Sequence, residues 1–412
     1  MRLPDWIVLA FTLLAIILYG LYKSRTTRNL EGYFLSNRTL PWYLVLLSIM
    51  GTQASAITFL SGPGQAYTDG MRFVQYYFGL PLAMVVLCIT FVPIFNKLKV
   101  FTAYEFLEQR FDIKTRALTS FLFLLQRGLS TGISVAAPSI ILSALLGWDI
   151  FWTNVFMGGL LIIYTVTGGA KAVAYTQQLQ LIIIFGGMFM AAYMVIRMLP
   201  ADVGFFDALR VSGRADKLNV ITTGVNENGF NWSDRYNIWS GLIGGFFLAL
   251  SYFGTDQSQV GRYLTAKSTT GSRLGLLMNG LVKVPMQFLI LLVGAMVFAF
   301  YQFNPAPLFF NQSQVEKSKN TIYQQEVMHI ERQYDSINVL KKQYVAEWTG
   351  SGAQEAEWKT LQVKSDSLRA SFKSILNKPE VKGESNDTNY IFLRFVIDYL
   401  PVGLVGLLIA VI

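Results

Sequence analysis

The stretch GTQASAITFLSGPG, Gly51 to Gly64, decides the fold. It continues the apolar run LPWYLVLLSIM (40–50), hydrophobic enough to enter a bilayer. Yet it carries Thr52, Gln53, Ser55, Thr58 and Ser61 and ends in Gly62-Pro63-Gly64. In hydrocarbon each unpaired backbone group costs several kcal/mol, so irregular backbone survives only where it is buried in protein or lines a cavity. The stretch therefore reads as a helix that breaks at mid-membrane to build a site. A second break of this kind lies in GLIGGFFLALSYFGTDQSQVGRYL (241–264), which runs from apolar residues into Gly254-Thr255-Asp256-Gln257-Ser258-Gln259.

The rest of the chain supports a membrane setting. Of 412 residues, 53% are hydrophobic and 14% charged, against about a quarter charged in a soluble domain. The apolar residues come in long runs, which predicts an all-α polytopic membrane protein. Candidate spans are 5–22, 41–61, 73–95, 117–146, 150–167, 174–199, 237–260, 273–301 and 390–412. The first apolar run has no small-residue cleavage site and reads as a retained helix rather than a signal peptide. Loops 23–40, 96–116, 168–173 and 261–273 carry Lys23, Arg25, Arg28, Arg38, Lys97, Lys99, Arg110, Lys114, Arg116, Lys171, Arg262, Lys267 and Arg273. The opposite short loops, 62–72 and 147–149, carry only Arg72. The positive-inside rule then makes the first set cytoplasmic and puts the N-terminus outside. The net charge of +9 is read as topology, not as nucleic-acid binding. The closing run YLPVGLVGLLIAVI (399–412) has no polar flank, so the sequence is expected to be a C-terminally truncated fragment.

Chemistry is scarce in the spans. One cysteine, Cys88, and one histidine, His329, leave no material for a disulfide, a zinc cluster or a Ser-His-Asp triad. No HExxH or Walker loop supports an enzyme, and no repeated filter motif supports a channel. A transporter predicts discontinuous helices at corresponding positions of two halves. The two breaks fall five spans apart and run in opposite directions across the membrane. With the first helix peripheral, this is a LeuT-type plan: a 5+5 inverted-repeat bundle with one extra N-terminal helix.

One segment stands outside that plan. Residues 311–388 hold eleven Lys/Arg and eleven Asp/Glu. Val327, Ile330, Tyr334, Ile337, Tyr344 and Trp348 recur at spacings of three and four, with Lys341 as the exception. After TGSGA the pattern resumes in Trp358, Leu361, Ser365, Leu368, Phe372 and Ile375. This is the heptad pattern of two helices folding back on each other. The chain thus divides into a transporter core (1–304), an extracytoplasmic helical hairpin insertion (305–388) and the start of a ninth span (389–412). The hairpin is a spacer or a docking surface for an extracytoplasmic protein partner.

Three segments resemble the sodium:solute symporter family. TGGAKAVAYTQQLQ (167–180) is similar to its cytoplasmic loop and helix start, and FVPIFNKLKVFTAYEFLEQRF (91–111) to its loop after the third span. SYFGTDQSQVGRYLTAKS (251–268) resembles its segment with a Gln followed by an Arg-x-Leu-x-Ala-Lys run. The resemblance covers nearly all of the chain except 305–388 and looks nearest to the branch carrying iodide, vitamins and monocarboxylates, with sugar carriers close. It implies that the backbone carbonyls of Gly51 and Ala54 hold Na+, in a site completed by hydroxyls from a helix beyond Ile412. It further implies a substrate site drawing on Gln53, Ser55, Thr58, Tyr77, Tyr252, Asp256, Gln257 and Lys283. The Tyr252 ring would close the inner side, and Lys283, about 15 Å inside its span, would meet the solute. Two departures matter. Thr58 stands where many relatives have Gln, beside Ile57 in place of a polar residue. Gln177, on the sodium exit path, stands where many have the Asp of a T-D-x-x-Q motif. A neutral amide there favours one sodium per solute.

The expected function is a sodium-coupled symporter of the inner (plasma) membrane. It imports a small organic solute, a sugar or a small carboxylate or vitamin-like anion, by alternating access. The Gln177 departure keeps a sodium-independent facilitator or a transporter-like sensor as the alternative. The topology carries a direct test. A cysteine at Ser351 should react with a membrane-impermeant maleimide in intact spheroplasts, and one at Thr269 should not. The reverse pattern overturns the orientation and the inverted repeat with it.

Overall fold

The computed structural model describes residues 2–24, 29–54, 57–227, 229–347 and 353–411. It is 79% helical, and its one sheet is a two-residue antiparallel pair, Val225–Asn226 with Gly229–Phe230. Among the described residues, four helices are long and apolar enough to cross a membrane, or five if the bent pair at the first break counts as one span.

At the first break the helix Trp42–Gln53 ends and Ala54 takes extended backbone, φ −84 and ψ 92. A π-helical turn, Ile57–Ser61, leads into the helix Gly62–Asp69. Pro63 sits in the first turn of that helix, where its missing N–H is harmless. The two arms meet at 73°. Ser55 and Ala56, at the bend, lie outside the described residues. The second break repeats the device in reverse. A π-helical turn, Ser240–Gly244, precedes the helix Gly245–Thr255, and Asp256 (φ −80, ψ 115) separates it from Gln257–Tyr263.

The centre is the 35-residue helix Thr269–Phe303. It packs along both arms of the first break and approaches them closely. A Cβ on Gly294 would lie 2.1 Å from the Pro63 carbonyl oxygen, and one on Gly275 would lie 2.8 Å from Val45. Backbone contact also joins the third and seventh spans, because a Cβ on Gly79 would lie 2.2 Å from the Phe246 nitrogen. At the opposite end from Gly70, backbone hydrogen bonds join the two broken spans. Leu40 N–H donates to the Thr265 carbonyl (3.1 Å), and Lys267 N–H donates to the Leu40 carbonyl (3.0 Å).

The fifth and sixth spans are two helices that meet at a kink within the run Ile150–Arg197, inside the expected loop 168–173. Gly169 alone leaves helical geometry (φ 58, ψ −169), against the Tyr33 backbone. Other span boundaries differ from expectation. The fourth span begins earlier, at Ile113, with Asp112 accepting from Thr115 N–H as its cap. The last run is two helices, Thr388–Tyr399 and Leu404–Val411. They are parted by Pro401 and by Gly403, whose N–H donates to the buried Asp5 (2.6 Å).

The insertion folds as helices Gln324–Glu347 and Ala353–Leu376 packed on each other. Residues 348–352, including Trp348 and Ser351, lie outside the described residues. Of the heptad positions, Val327, Ile330, Tyr334, Trp358, Ser365, Phe372 and Ile375 are buried, and Ile337, Tyr344, Leu361 and Leu368 are half-buried. The hairpin docks on the body through a fully buried Asp387, held by Arg369 (2.5 Å) and Lys373 (3.3 Å) and accepting from Phe310 N–H (3.2 Å).

Lys341 is buried too, at 4% exposure. Burial pushes its ammonium down from the ordinary 10.5 to about 8. The unfolded chain keeps this proton up to its ordinary pKa and the folded chain only to about 8. The buried charge therefore costs stability below pH 8, roughly 3 kcal/mol, and the cost fades as pH rises. Lys341→Met should melt higher than wild type at pH 7, and the gap should narrow by pH 10. A gap that is absent or independent of pH refutes the assignment.

Candidate functional site

Asn279, Lys283 and Gln287 recur every four residues on the central helix and so share one face. All three are buried, at 0%, 1% and 1% exposure. Lys283 Nζ has no hydrogen-bond partner and sits 5.5 Å from the centroid of the Tyr77 ring. Both amide atoms of Asn279, Oε1 of Gln287 and Nε2 of Gln53 are likewise buried without partners. Gln287 faces the start of the second arm, Gly62–Asp69, its Nε2 3.6 Å from where a Cβ on Gly62 would stand. Each orphaned buried group costs about 1–3 kcal/mol. A run of them opposite a broken helix is a polar lining that a polar ligand would satisfy.

Next to it lies the end of the first arm, Trp42–Gln53. The helix stops at Gln53, so the carbonyls of its last turn, Gly51 among them, stand at a terminus short of helical donors. Ala54 N–H still bonds to Met50 (2.8 Å), and the Thr58 hydroxyl donates to the Gln53 carbonyl (3.2 Å). Gln177 packs on this turn. Its amide lies 3.0 Å from Ser48 Oγ and 3.3 Å from Thr52 Oγ1. A Cβ on Gly51 would come within 2.8 Å of the Gln177 Cβ. The residue expected on an exit path thus touches the residue expected to hold the ion.

The second break uses its polar residues differently. Asp256 pairs with Arg127 and caps the following helix, accepting from Ser258 N–H (2.9 Å) and Oγ (2.7 Å). Arg127, for which the sequence offers no visible partner, thereby has one 129 positions away. Its guanidinium also lies 5.6 Å from the centroid of the Tyr252 ring, whose hydroxyl accepts from Gln259 Nε2 (2.8 Å). Gln257 is committed to the loop, accepting from Ala103 N–H (2.9 Å) and donating to the Phe101 carbonyl (3.0 Å). The structure therefore divides the expected substrate set. Gln53, Thr58, Tyr77 and Lys283 belong to the first break and its central-helix face. Tyr252 and Asp256 line a separate 440 Å³ pocket with Tyr104 and Phe123. Ser55 lies outside the described residues. Sequence reasoning missed Asn279, Gln287 and Ser48. The four-residue spacing around Lys283 was the signal for the first two.

Residues 33–328 match the sequence profile of the sodium:solute symporter family. The chain belongs to that family. Among its relatives, the sodium/sialic acid symporter of Proteus mirabilis is 30% identical over 74% of this chain and 60% of its own length. Sodium-coupled monocarboxylate transporter 1 of Xenopus laevis is 28% identical over 67% of this chain and 43% of its own. The human sodium/iodide cotransporter is 28% identical over 67% and 42%. The chain thus spans about half the length of these curated relatives. A solved Na+-coupled sialic acid symporter in a substrate-bound outward-open state superimposes with TM-score 0.72 and 23% identity, over all of this chain and 70% of that one. That likeness shows the fold, a LeuT-type bundle, and with the apolar helices it makes this a multi-pass membrane protein.

The Gly51–Gln177 contact can be measured. Gly51→Ala should cost about 1–3 kcal/mol by overpacking. Gln177→Ala in the same chain should recover much of it, giving a coupling energy of at least about 1 kcal/mol. Additive effects in thermal or denaturant unfolding would show that the two residues do not touch.

Proposed function

We propose that this chain forms the core of a sodium-coupled symporter that imports a small organic anion across the inner (plasma) membrane. The observation that carries the reading is Lys283, a buried ammonium with no carboxylate partner among the described residues, in a polar row beside a broken span. An intramembrane charge of this kind is costly and is retained for function. A solute carboxylate would supply the missing counter-charge, and Gln53, Asn279 and Gln287 would bond the rest of the solute. The relatives support this, since sialic acid, monocarboxylates and iodide are all anions. A sugar would meet the amides and leave Lys283 unpaired.

Sodium is the ion the family is named for, and the Gly51 turn offers it backbone oxygens. Sodium is a hard cation, and unwound helix supplies such ligands in other transporters. Gln177 Nε2 or Oε1 touches this turn without adding charge. A carboxylate there would add roughly 1–4 kcal/mol of attraction at 4 Å. One sodium per solute follows. Ion and solute both favour the state in which the site is assembled, and their differential affinity for the two states couples them.

The test is uptake by the full-length transporter. It should depend on sodium with a Hill coefficient near one. Lys283→Ala should raise the half-saturation concentration at least tenfold for an anionic solute while insertion stays near wild type. Uptake indifferent to sodium would instead establish a facilitator, and solute binding without uptake a sensor. An unchanged half-saturation concentration would remove Lys283 from the site.

A further inference from the structure

The one heptad position that breaks the apolar pattern, Lys341, faces a cavity of about 270 Å³. The cavity lies between the hairpin and the Gly70 end of the first broken span. Its size is near the lower end for small-molecule sites. Four cationic side chains line it, Lys217, Lys341, Arg369 and Lys373, against one carboxylate, Asp366. Asp366 is held by Gln362 Nε2 at 3.0 Å. Behind the wall Asp387 engages Arg369 and Lys373, and the surplus is still two positive charges. Lys341 has no carboxylate within ion-pair distance among the described residues. Lys217 donates to the Thr68 carbonyl, at the end of the broken span's second arm, and its Nζ lies 5.2 Å from the centroid of the Phe298 ring on the central helix. The cavity therefore adjoins the second arm of the broken span, Gly62–Asp69, and the helix that carries Lys283.

Two further atoms define the ligand. Gln302 Oε1 and Gln362 Oε1 are buried in this wall with no hydrogen-bond partner. Orphaned acceptors repel a bare anion but take hydroxyl or amide donors. Free cations and free acceptors together match a molecule bearing both a carboxylate and hydroxyl groups.

We propose that this cavity is a second, outer binding site for a small polyhydroxylated carboxylate, with the carboxylate on Lys341 and hydroxyls on Gln302 and Gln362. The site uses residues of the hairpin, most of which lies beyond the family match at 33–328. Its place at the outer mouth rests on the transporter orientation proposed above. The ligand is either the solute on its way to Lys283 or an effector of the same chemistry that is not carried.

The experiment is calorimetric titration of the full chain in nanodiscs with gluconate, sorbitol and hexanoate. Gluconate should bind at least tenfold tighter than sorbitol, which lacks the charge, and than hexanoate, which lacks the hydroxyls. Wild type that fails to discriminate overturns the proposal without need of any variant. Lys341→Met removes the free cation and breaks no ion pair. It should weaken gluconate at least tenfold, and Lys341→Arg should restore binding. Unchanged gluconate affinity in Lys341→Met also overturns it. Lys283→Met separates this site from the deep one: binding that survives Lys283→Met but falls in Lys341→Met places gluconate at the hairpin, and the converse leaves only the deep site. Labelled gluconate then separates the sources. Accumulation that needs Lys341 marks a transported solute, and tight binding without accumulation marks an effector.

Discussion

Backbone that leaves helical hydrogen bonding inside a bilayer must be covered by protein, and here the cover is the helix Thr269–Phe303. Everything else in the bundle is arranged around that constraint. The Gly294–Pro63 and Gly275–Val45 contacts bring this helix against both arms of the broken span. Side chains at these glycines would hold the helices apart and open the bend to lipid. The same closeness presses Asn279, Lys283 and Gln287 against the break. Close packing in membranes rests on small residues for this reason. The polar lining follows from the packing that makes a broken helix tolerable.

The breaks, the inverted order and the heptad hairpin were legible because each is a local departure from a strong background. Polar residues in an apolar run and apolar residues in a charged one stand out at short range. Lys283 stood out in the same way. The use of each polar residue at the second break was not legible. A helix restarting at Gln257 needs an N-cap, and Asp256 supplies it. Its other oxygen meets Arg127, a pairing that only the three-dimensional arrangement creates. Gln257 is drawn to the backbone of residues 101–103 for the same reason. The turn between the fifth and sixth spans was legible, like the breaks, as a local departure, since Gly169 at positive φ is where the chain leaves helical geometry.

The hairpin shows how an insertion can be integrated rather than appended. A free coiled-coil stalk would need only its own seam. This one carries a lysine in the seam and buries Asp387 between itself and the body, so its fold and its docking are one event. Removing Arg369 would leave Asp387 as a buried charge with reduced compensation, an expensive state. The interface is therefore hard to lose by single steps.

The backbone link between Leu40 and residues 265–267 acquires a meaning from its size. Two hydrogen bonds of about 1 kcal/mol each bias an equilibrium by roughly one to two powers of ten, since each 1.4 kcal/mol is about a factor of ten. That is enough for the joined form to predominate and little enough for thermal motion to part it often. The link itself is made of N–H and C=O groups, so the side chains of Leu40, Thr265 and Ala266, all buried, act on it only through packing. Proline is the substitution that directly deletes one of its donors.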